Sequence, residues 1–133
     1  MADKGGDRIM ELKNRSQYLD KLISVQDMEV IKVVTGIRRC GKSSLLKLMM
    51  AHLREQGVME EQILSMNFES MQFADMDSKS LYQYVTERAP KGKRLYLFLD
   101  EVQKVRDWQD AVNSFRVDLD CDIYVTGSNA YLL

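Results

Sequence analysis

A glycine-rich segment at residues 36–43 ends in Gly-Lys-Ser and has the residue types and spacing of a phosphate-binding loop. Its glycines let successive backbone N–H groups point at phosphate oxygens, and the N-terminus of a following helix adds partial positive charge. Lys42 is expected to reach the β- and γ-phosphates, and the Ser43 hydroxyl is expected to be a ligand of Mg²⁺. The motif predicts binding of a nucleoside triphosphate through Gly36, Ile37, Arg38, Arg39, Cys40, Gly41, Lys42, Ser43 and Ser44.

The segments that flank this loop supply the strand–loop–helix context on which the motif depends. Residues 30–35 form an apolar, β-branched run typical of a buried strand, and residues 44–56 carry leucines at helical spacing. We therefore favour a phosphate loop over a chance glycine-rich turn. The side chains of Arg38 and Arg39 keep several open assignments: phosphates, a partner carboxylate, a neighbouring subunit, or solvent. Cys40 is expected to be an inert packed thiol.

A pair of carboxylates follows the strongly apolar run at residues 94–99. Asp100 and Glu101 come in succession at the end of this predicted strand, the pattern of a Walker B strand. Asp100 is expected to hold Mg²⁺ opposite Ser43, and Glu101 to orient and activate an attacking water. Acidic residues are common at element ends, so the pair alone would not indicate catalysis. Downstream of a complete phosphate loop, it favours hydrolysis.

Ser128 and Asn129 follow another predicted strand, residues 123–126. If this strand lies between those that carry the loop and the acidic pair, Asn129 faces the γ-phosphate and positions water together with Glu101. An ordinary Gly-Ser-Asn turn is the alternative. We favour Asn129 as a catalytic residue beside Glu101 and Lys42.

Predicted strands and helices alternate along the chain, which indicates an α/β fold with a parallel sheet covered on both faces. Asp77 or Ser78 is expected to cap one helix and Asp107 another, and Gly57 fits the position just after a helix. Residues 1–14 are expected to be a flexible N-terminal segment, and residues 15–133 a single domain. Further elements are predicted at residues 15–25, 62–69, 78–89 and 108–115.

The overall composition does not indicate a charged partner or a membrane span. The 19 basic and 20 acidic residues nearly cancel, so no overall field draws the chain to nucleic acid or to an anionic membrane, although a local basic patch remains open. Cys40 and Cys121 form no zinc-type spacing and are expected to be reduced thiols. No apolar stretch approaches the roughly 20 residues that span a bilayer. A cytoplasmic location is therefore expected.

Three segments together resemble a known family. They read TGIRRCGKSSLL at residues 35–46, LFLDEVQ at 97–103 and VTGSN at 125–129. They are similar to the AAA-type P-loop ATPases of the additional-strand, catalytic-glutamate division, and more narrowly to prokaryotic "AAA domain" ATPases that usually carry a C-terminal domain of uncertain function. The resemblance implies a three-layer sandwich with a mostly parallel sheet in the order 5-1-4-3-2, and it assigns Ser128 and Asn129 to the sensor-1 position.

The same resemblance implies roles for residues outside the three segments. Asn67 corresponds to a polar residue that holds the catalytic glutamate in an inactive pose, although a strand end needs no such role. Arg15 and Tyr18 match an Arg-x-x-Tyr-Leu lead-in near the adenine, the alternative being a surface arginine and a packed tyrosine. The resemblance also implies an N-terminal fragment, truncated before the fifth strand, the arginine finger, sensor 2 and the lid, and weak or inactive alone.

The function expected from the resemblance is Mg²⁺-dependent ATP binding and hydrolysis that drives conformational change in a larger protein. Expected partners are ATP or ADP and a C-terminal domain, with self-association left open. Two alternatives remain: a regulatory nucleotide switch with little turnover, and a nucleic-acid-handling ATPase such as a helicase loader or transposition helper. Adenine follows only from the resemblance, because no residue excludes guanine.

Overall fold

Strands and helices alternate along residues 15–35 and 41–127, which are the residues that this computed structural model describes. The strands are β1 (Lys32–Val34), β2 (Ile63–Asn67), β3 (Leu95–Asp100) and β4 (Cys121–Thr126). The α-helices are α1 (Arg15–Ser24), α2 (Gly41–Glu55), α3 (Ser78–Arg88) and α4 (Trp108–Asp118). The predicted flexible segment, residues 1–14, lies outside the described residues.

The four strands form one all-parallel sheet in the order β1–β4–β3–β2. The resemblance to AAA-type ATPases implied this order for the first four strands. Parallel neighbours need long crossover connections, and the helices between the strands supply them. The predicted α/β class with a mostly parallel sheet is therefore confirmed. Within the described part of the chain, no helix is long and apolar enough to cross a membrane.

Both faces of the sheet are covered by helices, which gives three layers. One face packs against α1 and α2 through a core that includes Leu22, Leu45, Leu53, Phe98 and Tyr124. The other packs against α3 and α4 through a core that includes Leu81, Leu97, Val112, Phe115 and Val125. Every residue of β3 is buried, so this strand shows the continuous apolar pattern of a central parallel strand rather than alternation.

The register of the sheet brings the carboxyl ends of all four strands to one edge. Val34 lies opposite Thr126, and Asn67 lies opposite Asp100. Leu99 and Val125 are also partners, so Asp100 and Thr126 end neighbouring strands side by side. Ligands of open α/β sheets bind outside this edge, which we call the ligand edge. The fold thus collects polar side chains where a ligand would enter.

Several element ends differ from the sequence predictions for identifiable reasons. The strand predicted at residues 30–35 is reduced to β1, because a bend lies before it in which the Val30 N–H bonds to the Met28 carbonyl at 2.8 Å. The helix predicted from residue 44 begins at Gly41. The hydrophobic pattern missed its first turn, because that turn carries no apolar residues at helical spacing.

Two of the three predicted helix-end residues behave as expected. The Asp77 carboxylate accepts the Ser80 N–H at 3.0 Å, and Gly57 has a φ of 94° after the end of α2. The capping role of Asp107 is wrong. This residue precedes α4 in the left-handed region, with a φ of 59°, and its side chain makes no capping hydrogen bond.

A buried polar cluster at the amino-terminal edge of the sheet fixes where β1 begins. The Asp122 carboxylate accepts hydrogen bonds from the Lys32 ammonium, the Tyr124 hydroxyl and the Asp27 N–H. Lys32 and Asp122 are only 4% and 1% exposed, so their ion pair is shielded from water. Burial, together with the bond to Asp122, raises the pKa of the Tyr124 hydroxyl. The cluster therefore ties the α1–β1 connection to β4.

Replacing Asp122 with asparagine keeps its size but leaves the Lys32 ammonium buried without a counter-charge. We expect Asp122→Asn to lower the free energy of unfolding by about 3–5 kcal/mol, measured by urea denaturation. The exposed pair Arg54–Glu60 supplies the control, since Glu60→Gln should cost less than about 1 kcal/mol. Similar small losses in both variants would contradict a stabilising role for the buried pair.

Candidate functional site

The first turn of α2 stands at the ligand edge of the sheet and carries the Gly-Lys-Ser-Ser end of the sequence motif. Gly41 is buried, and Lys42, Ser43 and Ser44 are half-buried. The N-terminus of a 15-residue helix carries unpaired N–H groups and partial positive charge, which favour an anion. The remaining predicted loop residues lie outside the described part of the chain: Gly36, Ile37, Arg38, Arg39 and Cys40.

The Asp100 carboxylate joins this turn to the sheet. Its Oδ2 accepts a hydrogen bond from the Ser43 hydroxyl at 2.5 Å, and its Oδ1 accepts one from the Thr126 hydroxyl at 2.5 Å. Asp100 is 6% exposed, so both oxygens are held in a sheltered place. The two residues predicted to hold Mg²⁺, Ser43 and Asp100, are therefore in direct contact.

Lys42 directs its ammonium into the same space. Its Nζ donates to the Gly127 carbonyl at 3.1 Å and lies 3.6 Å from Oε2 of Glu101. The Lys42 side chain is 13% exposed and that of Glu101 is 19% exposed, so this contact is largely sheltered from solvent. The predicted phosphate-binding lysine and the predicted catalytic carboxylate are thus neighbours.

Glu101 is held in an unusual backbone conformation. Its φ and ψ of 59° and 51° lie in the left-handed region, which non-glycine residues seldom adopt. Its N–H donates to the Thr126 hydroxyl oxygen at 2.9 Å. The carboxylate accepts a hydrogen bond from the Gln103 amide at 2.8 Å on Oε1. Strained residues of this kind cluster at functional sites.

Thr126, Gly127 and Gln103 belong to this site. They lie in the quoted segments 97–103 and 125–129, but no role was predicted for them from the sequence. Thr126 is fully buried and bridges the two adjacent acidic residues, donating to Asp100 and accepting from the N–H of Glu101. The available signal was a hydroxyl residue that ends an apolar strand beside a Gly-Ser-Asn turn. Gln103 carried a weaker signal, a polar residue shortly after the acidic pair.

Other predicted residues lie apart from this cluster or outside the described residues. The Asn67 side chain is exposed, and its Oδ1 accepts the Glu69 N–H at 3.0 Å in a local turn. Its assignment as a switch stays a prediction. Tyr18 is half-buried against the core below α2. Ser128 and Asn129 lie outside the described residues, as does the side chain of Arg15.

Cys121 is the free cysteine within the described part of the chain, and it lies far from the ligand edge, at the start of β4. Burial raises the pKa of its thiol to about 11. The thiol is therefore protonated at neutral pH, which makes it a poor nucleophile. Its sulfur is 3.5 Å from the Phe115 carbonyl.

Comparison with known proteins identifies the family. The sequence profile of a family described as "AAA domain" matches residues 29–133. The chain belongs to this family. An uncharacterized protein of Haemophilus influenzae is 42% identical over 122 residues, which are 90% of this chain and 30% of that relative. No solved structure matches the chain.

Membership of the AAA domain family indicates a nucleotide-binding, ATPase-like domain. The match includes every residue described above at the ligand edge, from β1 to Gly127. Because the chain spans only about 30% of the length of the Haemophilus relative, the activity and partners of the whole protein are matters for proposal.

The side chains at the edge suit a nucleotide with Mg²⁺. Hydroxyl and carboxylate oxygens are the ligands that Mg²⁺ prefers, and Ser43 and Asp100 offer one of each at 2.5 Å separation. Mg²⁺ usually keeps several waters and takes its other ligands from substrate phosphates. Two protein oxygens beside a helix N-terminus and a lysine therefore fit such an ion.

Thr126 offers a direct test of the site's internal bonds. Thr126→Val keeps the shape of the side chain but removes its donor to Asp100 and leaves the partly buried Glu101 N–H without its acceptor. We expect a loss of about 2–3 kcal/mol in the free energy of unfolding, clearly more than in the serine variant, measured by urea denaturation. Thr126→Ser keeps the hydroxyl and should lose only about 1 kcal/mol, for one buried methyl group. A valine variant as stable as the serine variant would contradict the bridging role.

Proposed function

We propose that this AAA domain binds ATP with Mg²⁺ and hydrolyses it, and that hydrolysis drives conformational change in a larger protein. One observation carries the proposal: Lys42, Ser43, Asp100 and Glu101 converge at the ligand edge of a parallel sheet. Each has the chemistry that phosphoryl transfer to water requires. They come from two segments far apart in the chain, residues 42–43 at the start of α2 and residues 100–101 at the end of β3, so sequence proximity does not explain why the two pairs meet.

Binding would begin with the lysine and the helix. The Lys42 ammonium has a carbonyl at 3.1 Å and a carboxylate at 3.6 Å as its described partners. A triphosphate offers several charged oxygens to the same ammonium, and charge-assisted hydrogen bonds are stronger than the bond to a neutral carbonyl. We therefore expect Lys42 to turn toward the phosphates when nucleotide enters, beside the N–H groups of the α2 terminus.

Ser43 and Asp100 are the residues that would hold Mg²⁺. When bound, the ion would supply positive charge that stabilises the negative charge developing on the phosphate oxygens. Thr126 has a supporting task, because its hydrogen bond keeps Oδ1 of Asp100 in place while Oδ2 faces Ser43. Because both oxygens of Asp100 already accept hydrogen bonds, this carboxylate is less suited to accept a proton from water.

Glu101 is the better base for the attacking water. Its Oε2 faces only the Lys42 ammonium among the described residues, at 3.6 Å. Once that ammonium turns to phosphate, Oε2 becomes a free acceptor. In the proposed step, water attacks the γ-phosphorus, the bond to the bridging β–γ oxygen breaks, and the water proton passes to Glu101. The products are ADP and phosphate, and the proton then returns to solvent.

Replacement of Glu101 by glutamine tests this assignment. The amide keeps the size of the side chain but cannot take a proton, so kcat for ATP should fall roughly 10²–10⁴-fold. Nucleotide binding should be retained, because Lys42, Ser43 and Asp100 are untouched. The measurements are phosphate release by the intact protein and titration with a fluorescent ATP analogue. Competition by GTP then establishes whether adenine or guanine is preferred.

Glu87→Gln is the matched control, because it removes a largely exposed carboxylate from α3. It should leave both quantities unchanged. Unaltered turnover in Glu101→Gln would remove Glu101 as the base. A wild-type protein that binds ATP with Mg²⁺ but shows no phosphate release, even at single turnover, would instead support a regulatory switch.

A further inference from the structure

The side chain of Gln103 contacts the predicted base directly. Its Nε2 donates to Oε1 of Glu101 at 2.8 Å, a good length for a hydrogen bond to a carboxylate. The other oxygen, Oε2, is the one that faces Lys42. The amide of Gln103 and the ammonium of Lys42 therefore divide the two oxygens of Glu101 between them.

The backbone holds Gln103 firmly in this position. It is the middle residue of a short 3₁₀ turn, residues 102–104, that follows Glu101 directly. Val102 precedes Gln103 directly, and Val105 follows it by two residues. These valines are 0% and 2% exposed and belong to the core that covers the α3 and α4 face of the sheet. A hydrogen bond from the Val105 N–H to the Val102 carbonyl, 3.0 Å long, closes the turn. The two buried valines thus fix the backbone from which the Gln103 side chain extends.

The amide of Gln103 is satisfied at one end only. A carboxylate can only accept, so the NH₂ end of the amide must face Glu101. The amide oxygen of Gln103 is then buried, and it has no hydrogen-bond partner among the residues that the structure describes. A buried acceptor without a partner costs free energy that an apolar side chain of the same size would avoid. Packing alone therefore does not account for a glutamine here, whereas a bond to Glu101 does.

We propose that Gln103 is a positioning residue for Glu101: its amide holds Oε1 so that Oε2 is presented to the attacking water. The inference rests on the proposed role of Glu101 as base. In the arrangement described, Lys42 and Gln103 both orient the carboxylate. When Lys42 turns to the phosphates, Gln103 is the side chain that remains on the Glu101 carboxylate among the residues that the structure describes. The bond between Thr126 and the Glu101 N–H fixes only the backbone, so it leaves the carboxylate free to rotate.

Two variants of similar size to glutamine test the proposal. Gln103→Met removes the donor, and Gln103→Glu also places a second negative charge beside Glu101. In the intact protein, kcat for ATP should fall roughly 10- to 100-fold, the range expected for one hydrogen bond to a charged group, with the larger loss in Gln103→Glu. In Gln103→Met the dissociation constant for ATP should change less than about threefold, because this variant disturbs only the reacting carboxylate.

The same substitutions in the Glu101→Gln background separate positioning from a structural role. There the base is already absent, so Gln103→Met should cause no further loss in single-turnover phosphate release. A merely structural residue would lower turnover by the same factor in both backgrounds, and that outcome would overturn the proposal. Thermal unfolding of all variants identifies any that fail to fold, and the remaining substitution at this position then supplies the comparison.

The possible failures can be told apart. If Glu101→Gln abolishes turnover while both Gln103 variants keep the wild-type kcat, Gln103 is not a positioning residue and the proposed function stands. If Glu101→Gln keeps the wild-type kcat, the role of Glu101 as base fails, and with it the inference about Gln103.

Discussion

The Asp100 carboxylate is the point on which the rest of the site depends. It is almost fully buried, and its two oxygens accept hydrogen bonds from residues of two different elements, Ser43 on α2 and Thr126 on β4. These bonds fix the start of a helix against the edge of a sheet. Because Lys42 precedes Ser43 and Glu101 follows Asp100, the same bonds bring the ammonium and the second carboxylate together. A single buried anion therefore organises the whole cluster.

Two adjacent carboxylates have different surroundings, and the different tasks proposed for them rest on that difference. Asp100 ends a regular strand and has both oxygens occupied by hydroxyl donors. Glu101 turns into the left-handed region immediately afterwards, so its side chain leaves the strand direction and meets Lys42 and Gln103 instead. The backbone strain at Glu101 is offset by its N–H bond to Thr126 and by the buried valines that follow. The proposed division between a carboxylate that would hold the metal and one that would accept a proton rests on this one backbone turn.

The sequence predicts which residues meet at the carboxyl edge of the sheet better than it predicts the contacts that support them. Lys42, Ser43, Asp100 and the parallel α/β fold were accessible because a phosphate loop and an acidic pair have specific residue types at specific spacings. Thr126 was not, because its role depends on the register that sets β4 beside β3. The bond from Gln103 requires the left-handed turn at Glu101, which no local pattern indicates. The strand predicted at residues 123–126 in fact begins at Cys121. Asp122 led to this error, because a charged residue at a strand end indicates a loop unless its buried partner, Lys32, is known.

The decisive measurement is a structure of the intact protein with Mg²⁺ and a non-hydrolysable ATP analogue. We expect the triphosphate at the N-terminus of α2, Mg²⁺ held by the Ser43 hydroxyl and the Asp100 carboxylate, and the Lys42 ammonium on phosphate rather than on the Gly127 carbonyl. Gln103 should still donate to Glu101. Nucleotide bound elsewhere, or bound with the Ser43–Asp100 and Lys42–Gly127 hydrogen bonds unchanged, would contradict the proposed function.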